Sequence, residues 1–74
     1  MKLKLYTGEE LRALREKLGL NQTDFWARFK VTQSGGSRYE SGREIPSPIQ
    51  ILLNLAFSSE PKARSLFEEL WKFG

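Results

Sequence analysis

"VTQSGGSRYESGR", residues 31–43, is the stretch on which the fold turns. Thr32 reads as the N-cap of a short helix over about residues 33–40, which Ser41-Gly42 ends. Two adjacent glycines inside a helix need a reason, because each costs about 1 kcal/mol relative to alanine. At about 100° per residue, Gln33, Ser37, Ser34 and Arg38 share one wholly polar arc about 140° wide, while Gly35, Tyr39, Gly36 and Glu40 fall on the opposite side. Both glycines therefore lie on or beside the face that packs inward. A helix without side chains there admits a close neighbour or a large one. Trp26, in the preceding segment, supplies the large one, and burying its indole offsets the roughly 2 kcal/mol of lost propensity. The competing reading is that the glycines keep the helix pliant until it meets a target.

Working outward, Asn21 caps a short helix running to Phe29, whose Phe25, Trp26 and Phe29 lie within about 100° of arc and form a bulky aromatic face. Lys30-Val31 is then a tight connection. Upstream, Thr7 and Glu10 have capping-box spacing, Leu11, Leu14 and Leu18 recur at helical intervals, and Gly19 closes a first helix over about residues 8–18. Downstream, Ser47-Pro48-Ile49-Gln50 reads as an N-cap, a proline at the first helical position and a capping-box glutamine. The fourth helix, about residues 48–57, is apolar almost all round, with a narrow stripe of Gln50 and Asn54, and is expected at the centre of the core. A C-terminal helix over residues 61–73 carries Ala63, Leu66, Phe67, Leu70 and Trp71 on one stripe. Only Lys2 to Tyr6 alternates like a strand, so residues 1–6 are expected as an extended arm that lies along a ligand backbone or pairs with its twin. The expected fold class is all-α, a compact bundle of about five short helices forming a single domain over residues 1–74, with a helix-turn-helix over residues 22–40.

The chain has 74 residues and neither cysteine nor histidine, which removes disulfides, thiolate nucleophiles and the commonest zinc ligands. No metal and no cofactor is expected. No signal peptide or membrane span is legible, so the sequence predicts a soluble cytoplasmic protein. Nine lysines and arginines stand against six acidic residues in positions 1–45, and three against three thereafter, so the surplus of positive charge lies wholly in the first part. That favours an anionic partner, with nucleic acid first. The neighbouring carboxylates Glu9-Glu10 and Glu68-Glu69 diverge by about 100° on a helix surface, and no serine has an evident base. An enzyme is not expected.

Two short helices joined by a tight turn, the second with an outer arc of Gln, Ser, Ser and Arg, are the sequence image of a helix-turn-helix. Gln suits the adenine edge, Arg the guanine edge, and Ser either bases or phosphates in a major groove. Over about residues 11–57 the chain resembles the helix-turn-helix of the phage Cro and phage repressor family, the xenobiotic-response-element type. Arg15, Gly19-Leu20-Asn21-Gln22, Glu40, Gly42 and Pro46 carry the likeness.

The resemblance implies a lambda-repressor-like DNA-binding domain that acts as a transcriptional regulator, a repressor for instance, usually as a homodimer on an inverted-repeat operator of double-stranded DNA. It implies base contacts from Gln33, Ser34 and Arg38, flanked by Thr32 and Ser37. It implies phosphate contacts from Gln22, which also braces Gln33, and from Ser41 and Arg43, and a structural ion pair between Arg15 and Glu40. The family commonly has glycine where Lys30 stands. Either the turn differs here or Lys30 compensates by touching a phosphate, and the sequence leaves both open. The family also has a small residue at Trp26 and an aliphatic one at Gly36, the reverse of the pairing here, which agrees with a core contact of Trp26, Gly36, Phe25 and Phe29. Phe67, Leu70, Trp71 and Phe73 exceed what a small core needs and form a candidate surface for a second subunit or another protein. The alternative function is accordingly an antitoxin-like or coactivator module that binds a protein partner, such as a toxin, through the C-terminal helix.

Overall fold

Thr7 Oγ1 accepts a hydrogen bond from the Glu10 main-chain N–H at 3.1 Å, and Glu10 Oε1 accepts one from the Thr7 N–H at 3.3 Å. This reciprocal cap starts α1 (Gly8–Lys17), the first of five helices in a computed structural model that describes residues 2–73. α2 (Gln22–Ala27) is capped by Asn21, and α3 (Gln33–Glu40) by Thr32, each through a side-chain oxygen. α4 (Ser47–Phe57) and α5 (Glu60–Trp71) complete an all-α fold with no strand among the described residues. None of these helices is long and apolar enough to cross a membrane.

The first three helices end in one way. After α1, the Leu20 N–H reaches the Arg15 carbonyl and the Gly19 N–H the Glu16 carbonyl, with Gly19 at φ 72°. After α3, the Arg43 N–H reaches Arg38 and the Gly42 N–H reaches Tyr39, with Gly42 at φ 111°. Both are Schellman closures, in which a left-handed residue turns the chain so that two terminal carbonyls are satisfied. The turn between α2 and α3 repeats the pattern: the Val31 N–H bonds the Trp26 carbonyl, the Lys30 N–H bonds Ala27, and Lys30 sits at φ 58°. The turn is thus of the ordinary kind with lysine in the glycine position.

The capping box expected at the start of α4 does not form: the helix starts at Ser47 with Pro46 as its N-cap and no side-chain cap, so neither Ser47 nor Gln50 serves in one. The polar stripe is the inward one: Gln50 and Asn54 are buried, whereas Leu52 is 41 % exposed. The cause is the extended arm. Gln50 Oε1 accepts from the Tyr6 N–H and its Nε2 donates to the Tyr6 carbonyl, both at 2.9 Å. Asn54 treats Lys4 in the same way at 3.0 and 2.9 Å. Each amide stands in for a neighbouring peptide group, so the arm docks on its own α4.

The core gathers Leu11, Phe25, Trp26, Phe29, Ile45 and Leu53, with Tyr6, Leu20, Val31, Tyr39, Ile49 and Phe57 packed around them. Phe25 and Phe57 stack in parallel at 5.9 Å between centroids, tying α2 to α4. α5 packs on α4 and buries Leu66. It begins one residue before the expected 61 and ends at Trp71, which leaves Phe73 outside the helix.

Because a left-handed lysine costs about 1 kcal/mol that glycine does not, Lys30→Gly should raise the urea midpoint by up to that amount in free energy. An unchanged or lower midpoint would mean that the Lys30 side chain contributes more to the native state than its backbone costs.

Candidate nucleic-acid interface

α3 is held against α1 and α2 through the Glu40 carboxylate at its end. Arg15 from α1 donates Nε to Glu40 Oε2 at 3.0 Å and Nη2 to Oε1 at 2.9 Å, a bidentate pair that is nearly closed to solvent. Trp26 from α2 adds its Nε1–H to Oε2 at 2.7 Å. Arg15 Nη1 also reaches the Leu20 carbonyl at 3.1 Å, so the same guanidinium fastens the α1–α2 turn. Burial by itself pushes the Glu40 carboxyl up, but the hydrogen bonds from Arg15 and Trp26, with the Gln22 side chain nearby, outweigh it and hold the group below its ordinary value. Reading Trp26 only as bulk misses this bond. The signal was available in the sequence, since a buried indole N–H needs an acceptor and Glu40 lies on the same inward side of α3.

The two glycines have different surroundings. A Cβ on Gly36 would lie 2.2 Å from Trp26 Cδ1, inside the indole. Gly35 faces away from Trp26; a Cβ there would meet Val31 Cγ1 at 3.1 Å and Thr32 Oγ1 at 3.3 Å. The account of space made for Trp26 therefore holds for Gly36, while Gly35 helps line a shallow outer groove with Arg38, Tyr39, Arg43, Glu44 and Pro46. A further close approach was not legible. A Cβ on Gly8 would lie 1.8 Å from the Tyr39 carbonyl oxygen, so α1 meets the α3 backbone directly at its first residue.

With its inner side committed, α3 leaves Gln33, Ser34 and Arg38 exposed, and Ser37 half-buried. Gln33 Nε2 donates to Gln22 Oε1 at 2.6 Å, which fixes the outer glutamine from the start of α2. The Thr32 hydroxyl oxygen accepts the Gly35 N–H at 3.1 Å. Ser41 donates its hydroxyl to the Ser37 carbonyl at 2.9 Å, so this donor, expected for a phosphate, is used within its own helix end. Among the described residues Arg28, Lys30, Arg38 and Arg43 have no carboxylate within salt-bridge reach, in contrast to Arg12, Arg15 and Arg64. At the far end, Phe67 and Trp71 stack at 6.2 Å, and Phe67, Leu70, Trp71 and Phe73 are all exposed.

A capped helix, a left-handed turn and a second capped helix whose outer side is polar and cationic make a helix-turn-helix domain, the architecture of a DNA-binding regulator. The chain belongs to the RsaL-like HTH domain family, whose family model matches residues 12–56. No curated protein and no solved structure matches it.

Gly36→Ala should destabilise the domain by about 1–3 kcal/mol because the indole cannot move aside, and much of that loss should vanish in a Trp26→Ala background, read as a double-mutant cycle in urea. Additive losses would separate the two positions.

The folded Glu40 carboxyl titrates below its unfolded value of about 4.5, so its contribution is complete above that pH and is lost as the pH falls through the lower folded value. Glu40→Gln should lower stability at neutral pH and flatten the acid limb of the urea midpoint against pH. Parallel acid limbs in the two proteins would assign acid sensitivity to other carboxyls.

Proposed function

We propose that this chain is a sequence-specific regulator of the Cro and phage-repressor kind, acting as a dimer on an inverted-repeat operator with α3 in the major groove. The observation that carries this is the outer side of α3, where Gln33 is braced by Gln22 and the exposed Arg38 has no carboxylate within salt-bridge reach among the described residues. In this reading Gln33, Ser34, Ser37 and Arg38 meet base edges, with Gln33 suited to adenine and Arg38 to guanine. Arg43, Lys30, Gln22 and the capped N-terminus of α3 at Thr32 meet phosphates, and Ser41 serves the helix end instead. Two copies would place their recognition helices about 34 Å apart, in successive major grooves. Control of a promoter would be steric.

A second reading is favoured by the exposed, stacked Phe67 and Trp71 on α5. In it the chain is an antitoxin-like or coactivator module whose α5 receives another protein and whose contact with DNA is secondary. The two readings differ in salt dependence. Phosphate contacts lower log affinity for duplex by about 0.9 per contact per decade of salt, and an apolar interface barely responds.

Selection of randomised duplex DNA by the purified protein should enrich an inverted repeat. On that site Arg38→Ala should cost about 1–3 kcal/mol and relax one base position, while Arg43→Ala should weaken all duplexes alike and reduce the salt slope. Uniform loss on every sequence for both variants would count against base reading by Arg38, and absence of enrichment would move the assignment to the α5 module.

A further inference from the structure

The arm at residues 2–6 uses only one of its two edges. Asn54 and Gln50 occupy the main-chain N–H and C=O groups of Lys4 and Tyr6. In an extended chain, successive residues turn these groups to opposite edges. Leu3 and Leu5 therefore face theirs away from α4, and among the described residues neither forms a main-chain hydrogen bond. Leu5 is 72 % exposed, and the groove beside the arm, lined by Leu3, Tyr6, Phe57 and Leu66 with Lys62 and Glu69, is open. An ordered edge of this kind is a template for another strand.

We infer that the edge pairs with the same arm of a second copy, antiparallel about a two-fold axis at Lys4, so that Leu3 and Leu5 of each copy exchange main-chain hydrogen bonds with Leu5 and Leu3 of the other. The inference rests on the dimeric reading above and names its contact.

Three features select a second copy over an unrelated strand. The two free residues lie one on each side of Lys4, so the symmetric register pairs every free group with a free group. Leucine then stands opposite leucine on one face of the ribbon, as an isologous contact requires. The obstacle would be two lysines face to face at the axis, since like charges directly opposite are destabilising. Each Lys4 ammonium, however, is neutralised within its own chain, 3.0 Å from a Glu10 carboxylate oxygen and 4.8 Å over the Tyr6 ring centroid. Because the buried amides already hold the arm straight, little ordering cost remains on pairing.

A ladder of two residues per copy is too small to hold a dimer firmly in dilute solution. It suffices once two copies occupy adjacent half-sites, where each arm sees its partner at high effective concentration.

The chain has no cysteine, which permits a register-specific test. Residues opposite one another at a non-hydrogen-bonded position of an antiparallel pair have Cα atoms about 4.5 Å apart, within disulfide reach. The Lys4→Cys variant, oxidised with the selected inverted-repeat duplex present, should cross-link to a dimer about tenfold faster or more than a Lys17→Cys variant, whose site is also exposed to solvent. Adding Leu5→Pro, which deletes an outward N–H that makes no hydrogen bond within the monomer, should return the rate to that control. Cross-linking of Lys4→Cys at the control rate overturns the arm pairing and leaves the edge to a strand of another protein. The stoichiometry of the wild-type protein on the same duplex, by sedimentation, then separates the two failures: two copies would retain the dimer with another interface, and one copy would remove both.

Discussion

The orientation of α3 depends on one carboxylate. Glu40 closes α3 and accepts hydrogen bonds from α1 through Arg15 and from α2 through Trp26, so three helices meet at two oxygen atoms. A buried ion pair is seldom worth much against apolar packing of the same volume, because both charges must leave water. Its value here is geometric. Apolar contacts tolerate sliding, whereas a bidentate guanidinium and an indole N–H aimed at the same carboxylate tolerate little. Gly36 and Gly8 serve the same end by removing the side chains that would hold α3 away from Trp26 and from α1. The outer glutamine is fixed in turn by Gln22, which stands at the start of α2, the helix that Trp26 ties to Glu40.

The arm on α4 solves a different problem. An extended segment laid against a helix has no ladder partner, and its buried peptide groups would go unsatisfied. Gln50 and Asn54, one helical turn apart, supply two primary amides at a spacing that matches alternate residues of the arm. No buried side-chain polar atom among the described residues lacks a partner as a result. The arrangement also explains why α4 leaves Leu52 in solvent. A helix that turns its amides inward must turn some of its leucines out.

How far the sequence could be read follows from the range of each signal. Caps are local, so Thr7, Asn21 and Thr32 declared their helices within a residue or so, and Gly19 and Gly42 their ends. The five-helix order was legible for the same reason. The inward-facing arc of α3 was legible from periodicity, and so were the exposed Gln33, Ser34 and Arg38. The direction of the α4 stripe was not legible: Gln50 and Asn54 are polar and buried, because their partner is main chain about 44–50 residues away, which periodicity cannot reveal. Ser47 failed as a cap because Pro46 already has the extended conformation that an N-cap needs, at φ −60° and ψ 150°. Gly8 gave no sign, since a glycine after a cap is unremarkable until a backbone arrives beside it. Gly35 and Gly36 look alike in sequence and differ only by the 100° that separates neighbouring helix positions.

The burial of Trp26 beside a carboxylate, with Trp71 74 % exposed on α5, gives the chain two indole fluorophores in opposed environments. Emission from the buried indole reports on the joint of the three helices, and a collisional quencher in solution reaches mainly the other. Without any label, one spectrum therefore watches the set of α3 and the exposure of the α5 aromatic surface as separate signals.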